Sequence, residues 1–236
     1  GAAAYPSAVL MDVIPAQVAG CREIVVATAP KRLDDYLMST FHLLGVKEVY
    51  RVGGPQAIGM LAYGTETVRP VDMIVGAGSI NISLAKREVS GRVKIDMFAG
   101  PSEVLVIADE TADADYAAAD LLSQAEHYPG SAILVTTSPQ LAAAVEKSID
   151  KQLADMPRAA MCVECLEKYG AIITVGGIEQ AIEVANLVAP EHLEIMTVDP
   201  RKVAARIENA GTVFLGGDTP EVAGDYVAGP SHTLPT

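Results

Sequence analysis

The chain has 236 residues, half of them apolar and 20% charged, a balance that belongs to globular proteins and excludes a disordered chain. Its formal charge of -13 speaks against nucleic acid or an anionic membrane as a partner of the whole chain, while leaving room for a local basic pocket. No apolar run reaches the roughly 18 residues a membrane-spanning helix needs, and the opening Gly1-Ala-Ala-Ala-Tyr5 lacks the basic start of a secretory signal.

Elements follow one another in a βαβα order. Residues 7–18 read as helical with Pro15 inside, so a kink or two consecutive helices is expected. Short β-branched runs at 23–27, 48–52, 72–75, 94–98, 104–108, 131–135, 171–175, 192–196 and 212–215 predict strands. Helical patterns near 34–44, 55–63, 81–90, 112–127, 139–154, 178–188 and 200–209 separate most of them. Asp34, Ser138 and Asp199 stand where N-caps belong, the last two directly before a proline, and Gly211 is expected to close the helix begun at Pro200. Continuous apolar strands imply mostly parallel sheets covered on both faces. The fold class is therefore α/β. Gly100-Pro101-Ser102 is the best seam between two Rossmann-like halves, 1–102 and 103–236, with a crevice between them. Ligands in such folds bind outside the carboxyl ends of the strands.

Cys21, Cys162 and Cys165 make an odd count that fits a reducing cytoplasm. Cys162-Val-Glu-Cys165 has no second pair to complete a zinc knuckle and lies within a helical run, so it reads as packed thiols. His42, inside a helix, reads as a packing or surface residue.

Several stretches carry candidate chemistry. Gln124 and His127 are three apart at the end of an alanine-rich helix, so both face one way, as a solvated pair or as an oxygen–nitrogen grip on a metal such as zinc. Glu191-His192 sits between a helix end and a strand, either locally paired or as an acid–base couple. Gly76-Ala-Gly78-Ser79 and Gly53-Gly54-Pro55-Gln56 each follow a strand and open a helix, the place for a phosphate-binding turn or a tight structural one. The terminal run 223–236 is dense in loop formers and offers Asp225 and His232.

Taken in order, these stretches resemble the histidinol dehydrogenase family. The matching segments are Ala3 to Met11, Arg51-Val-Gly-Gly-Pro-Gln-Ala-Ile58, Ala62-Tyr-Gly-Thr-Glu66, Ile95 to Asp109, Asp120 to His127, Ala189-Pro-Glu-His-Leu-Glu194 and Gly224 to His232 with Leu234-Pro-Thr236. The resemblance implies a zinc-dependent, NAD-dependent four-electron oxidation of L-histidinol to L-histidine through the aldehyde, by a cytoplasmic homodimer. It implies Gln124, His127 and Asp225 as zinc ligands and Glu191 and His192 as the catalytic pair. Ser102, Gln124, His127, His192, Asp225 and His232 would contact the substrate, and Gln56 and Ser79 the NAD. His192 would take the alcohol proton, and Glu191 would activate water for the second oxidation.

The chain also departs from the family pattern. It stops at Leu234-Pro-Thr236, where the family continues with a segment that supplies a further histidine ligand and a glutamate, and it lacks an N-terminal segment with a tyrosine that contacts NAD. With only three of the family's zinc ligands, weak or absent zinc binding by this core fragment is therefore expected. Ser79 and Ser231 stand where the family has asparagine. Those two changes keep open a related zinc- and NAD-dependent alcohol dehydrogenase for another small polar alcohol, such as a sulfonated diol. A non-catalytic module that retains the fold is the third reading.

Overall fold

A computed structural model describes residues 6–98 and 100–229. The chain divides between Gly100 and Pro101 into two compact units.

In the first unit, helix α1 runs unbroken from Pro6 to Val18 with Pro15 inside it, where the sequence suggested an interruption. Strands β1 (Val25–Ala27) and β2 (Glu48–Tyr50) pair in parallel around helix α2 (Asp35–Leu43). The Asp34 carboxylate accepts from Leu37 N at 2.9 Å and starts α2 as predicted. Helix α3 (Pro55–Tyr63) follows. Strands β3 (Met73–Ile74) and β4 (Lys94–Ile95) form a second parallel pair around α4 (Ile80–Val89). All four strands are shorter than their apolar runs. Ile58, Leu61, Ala62, Ile74, Val89 and Val93 form the core here.

The second unit holds one parallel five-stranded sheet in the order β7-β6-β5-β8-β9. Its strands are β5 (Glu103–Ala108), β6 (Ser131–Thr136), β7 (Gly170–Thr174), β8 (His192–Met196) and β9 (Thr212–Leu215). Helices α5 (Ala114–Ala125), α6 (Pro139–Leu153), α7 (Ala159–Tyr169), α8 (Ile178–Val188) and α9 (Pro200–Ala204) make the crossovers. Strand order reverses at β5 and β8, as in a doubly wound sheet. Side chains alternate across it: Val104, Val106 and Met196 pack under α5 and α6, while Leu105, Ile107, Leu193 and Ile195 pack under α8 and α9. Ser138 and Asp199 cap α6 and α9 as predicted. Helix α9 ends at Ala204, short of the predicted 209. Asp225, expected in a loop, lies on a short helix, α10 (Ala223–Tyr226). Cys162 and Cys165 are free, buried thiols packed against Leu122 and Ala125. Among the described residues no helix is long and apolar enough to cross a membrane.

Candidate functional site

The second unit gathers Ser102, Gln124, Glu191 and His192 at the amino ends of β5 and β8. The register sets His192 opposite Val104, so Glu191 lies beside the start of β5. Helix α5 runs back against β5 and brings Gln124 to the same edge. In this unit the candidate residues therefore lie at the amino edge, not at the carboxyl ends of the strands, because a helix that returns antiparallel delivers its last turn to the amino edge.

Ser102 Oγ donates to Glu191 Oε2 at 2.7 Å, and Glu103 N donates to the same oxygen at 3.3 Å. His192 Nδ1 lies 3.0 Å from the Glu103 carbonyl. A carbonyl only accepts, so Nδ1 carries a hydrogen, and in the neutral tautomer with that hydrogen the lone pair is on Nε2. The ring stacks on Phe214 of β9, with centroids 6.0 Å apart. Nε2 is buried without a hydrogen-bond partner, with Glu221 Oε2 3.7 Å away.

Gln124 is 1% exposed. Its Oε1 position lies 3.3 Å from Ser102 Oγ, and its Nε2 position is buried without a partner. Ser102 has one hydroxyl hydrogen, which the shorter contact to Glu191 claims. The two ends of the carboxamide are therefore better exchanged, so that NH2 donates to Ser102 and the carbonyl oxygen takes the partnerless position.

Other predicted residues fall elsewhere. Helix α5 stops at Ala125, so His127 lies in the turn beyond it, exposed, with its N–H on the Gln124 carbonyl at 3.0 Å. The helical spacing that was to align Gln124 and His127 ends before the second of them. Asp225 is half-buried on α10. His232 and Ser231 lie outside the described residues. In the first unit Gln56 and Ser79 are exposed at the starts of α3 and α4. Gly54 there has φ +75°, and a Cβ on it would meet the Gln56 side chain at 2.7 Å. His42 is exposed in the last turn of α2.

Sequence reasoning missed a group of buried carboxyls beside His192. On β8 His192 and Glu194 share one face, toward α5, where Asp120 and Ser123 lie. Asp120, Glu194 and Glu221 are all buried. Burial first, and the neighbouring Asp120 carboxylate next, push the Glu194 carboxyl from 4.5 up to about 10. Burial also raises Asp120 and Glu221. Ser123 Oγ donates to Glu221. A charge amid the apolar run His192-Leu-Glu-Ile-Met196, and another on the apolar face of α5, were the available signals.

The opposite, carboxyl edge of this sheet does not suit a phosphate. Asp113 caps α5 by accepting from Asp115 N and Tyr116 N. Asp109 pins its own loop and Val198 N. The cavity there is lined by Thr111, Asp113, Tyr116, Thr197 and Asp218, with two carboxylates and a helix start already satisfied.

The sheet order and the group of buried Glu191, His192 and Gln124 with half-buried Ser102 define an α/β protein of Rossmann topology with this polar group at the amino edge of a doubly wound sheet. Comparison with known proteins identifies it further: the histidinol dehydrogenase profile matches residues 1–236, and the chain belongs to that family. It is 54% identical over 240 residues to histidinol dehydrogenase of Geobacillus kaustophilus and 54% identical over 239 residues to that of Bradyrhizobium diazoefficiens. Each match covers 100% of this chain, but only 57% and 56% of the respective relatives, so the chain spans little more than half their length. The crystal structure of histidinol dehydrogenase from Elizabethkingia anophelis superposes with a TM-score of 0.91 at 42% identity, covering 100% of this chain and 55% of that one. A propionaldehyde dehydrogenase from Clostridium phytofermentans shares the fold at a TM-score of 0.62 and 15% identity, over 95% of this chain and 66% of that one.

Proposed function

We propose that this chain is the core of an enzyme that oxidises L-histidinol to L-histidine with NAD, in the cytoplasm and as a homodimer when full-length. The observation that carries the reading is the pair of buried, partnerless polar atoms, His192 Nε2 and the Gln124 carboxamide end, beside a Glu191 fixed by two donors. Buried polar atoms are normally paired within the protein, and two orphans on one edge suit a polar ligand.

His192 is set up as a base: its Nδ1 hydrogen is held by the Glu103 carbonyl, which leaves Nε2 to take the substrate hydroxyl proton. Bound NAD would accept hydride from the alcohol carbon. Glu191, oriented by Ser102 and Glu103 N, would draw a proton from the water that adds to the aldehyde before the second oxidation. The neighbours Glu191 and His192 thus supply two proton acceptors in different surroundings.

Zinc fits the donor types of Gln124, His127 and Asp225, an amide oxygen, an imidazole and a carboxylate. With its carboxamide ends exchanged as argued above, Gln124 would present its oxygen at the buried position without a protein partner, which agrees with a cation. Among the described residues no three His, Cys, Asp or Glu side chains gather as a metal group, so a zinc site here would rest on the glutamine and on a fourth donor. The ion would orient the substrate's amine and imidazole.

The nucleotide falls to the first unit. Ser79 makes no side-chain cap on α4, unlike Asp113 on α5, and the glycine turn before it leaves the helix start open to a phosphate. The test is NADH formation with L-histidinol, with other amino alcohols and with a sulfonated diol, together with zinc analysis of the protein. Turnover of the diol in preference to L-histidinol would overturn the substrate, and no turnover of any alcohol would overturn the enzyme reading.

A further inference from the structure

The turn after β3 is held by a buried ion pair. Lys86 on α4 is 3% exposed, and its ammonium is salt-bridged to Asp96 Oδ1. The same ammonium donates to the Gly76 carbonyl at 3.0 Å, while Asp96 Oδ2 accepts from Gly76 N at 2.8 Å. Asp96 Oδ1 also accepts from Met97 N at 2.7 Å. Both backbone groups of Gly76 are thus held by the two side chains of one pair. Gly76 has φ +114°, and a Cβ there would meet the Asp12 carboxylate at 3.1 Å, so the position demands glycine. Beyond it, the amides of Ala77, Gly78, Ser79, Ile80 and Asn81 make no hydrogen bond among the described residues.

A buried ion pair is a poor source of stability, because desolvation offsets its attraction and apolar replacements of both partners are often neutral or stabilising. What this pair adds is geometry. We propose that Lys86 and Asp96 are positioning residues for the dinucleotide: they fix Gly76 so that the free amides after it converge on the pyrophosphate. The proposal rests on the reading of this turn as the NAD site.

The test replaces both charges at once, K86M/D96L, so that no unpaired charge is left buried. Expected are a melting temperature close to that of the unaltered protein, exchange of the Gly76 and Met97 amide hydrogens, which Asp96 holds, faster by about tenfold without ligand, and a KM for NAD raised about tenfold or more with kcat and the KM for L-histidinol little changed. A folded double variant with normal exchange and normal KM for NAD overturns the proposal. D96N, which keeps an acceptor for Lys86 and loses the one for Gly76 N, gives the same readouts should the double variant fail to fold. S79D places a negative charge at the turn and separates the two levels of argument. If S79D raises the KM for NAD and the ion-pair variants do not, the latch alone is wrong. If none of them does, the turn is not the nucleotide site and the proposal falls with that reading.

Discussion

Glu194→Gln should stabilise the protein at neutral pH. Glu194 is fully buried on β8, and neither carboxyl oxygen makes a hydrogen bond of ordinary geometry. Its carboxyl is held up at about 10, against an ordinary value of 4.5. A folded value above the unfolded one means that the group's contribution to stability is full below about pH 4.5 and is lost as pH rises toward 10. The unfolded chain ionises Glu194 at pH 7.5 and the folded protein does not. The resulting cost follows from the distance between pH 7.5 and the unfolded value, about three pH units, or roughly 4 kcal/mol at 1.36 kcal/mol per unit. At pH 5 the same reckoning leaves somewhat under ~1 kcal/mol. The glutamine side chain of the variant has nearly the same shape and has nothing to ionise. The gain of the variant over the unaltered protein should therefore grow by about 3 kcal/mol between pH 5 and pH 7.5. Denaturant unfolding of both proteins at the two pH values measures it. A difference that does not change with pH, or that shrinks as pH rises, would show that Glu194 is ionised in the fold and refute the reasoning.

Removing the proposed base by H192N should lower kcat by about 10² to 10⁴-fold, read from NADH formation, with the circular dichroism of the fold unchanged. S102A takes one donor from Glu191, a hydrogen bond to a charged group of roughly 1.5–3 kcal/mol, and should cost about 10 to 100-fold in kcat/KM. An S102A enzyme of normal kcat/KM would mean that Glu191 needs no orienting. L105A opens the fully buried core under α8 and should destabilise by about 2–5 kcal/mol, measured by urea unfolding. D34A removes the cap of α2 and should cost about 1 kcal/mol, with little effect on the site in the second unit.

Much of the fold was legible because short apolar runs and caps act locally. The nine predicted strands are present, and Asp34, Ser138 and Asp199 cap the helices they were assigned to. Strand length was less legible: the run 72–75 gives only Met73–Ile74, since a strand extends only as far as its partner, and β3 pairs with β4 alone. In the site, Glu191-His192 was visible as an adjacent pair. What ties it together was not, because the Ser102–Glu191 contact spans 89 residues and depends on the β5–β8 register. Gln124-x-x-His127 has the spacing of one helical face, yet the helix ends between them. Glu221 gave no local sign of its burial, for it arrives from a loop.

The buried carboxyls show where this fold gives up stability. Strand β8 is buried along its whole length, and a chain selected for stability alone would carry apolar side chains at its inward positions. Instead His192 and Glu194 occupy one face of it, Asp120 and Gln124 face them from α5, and Glu221 closes the group. The opposite face of the same strand carries Leu193 and Ile195, packed in an apolar cluster against α8 and α9. The buried ionisable side chains of β8 thus share one face, next to the amino edge where Glu191 and the unpaired His192 Nε2 lie, while at the other end of the strand Thr197 Oγ1 is a single buried hydroxyl without a partner. A stability cost from buried ionisable groups concentrated beside the proposed proton acceptors is what a site retained for function would show. If E194Q proves more stable yet slower in turnover, the buried acid serves His192. If it is more stable and equally active, the acid serves neither folding nor the proposed reaction.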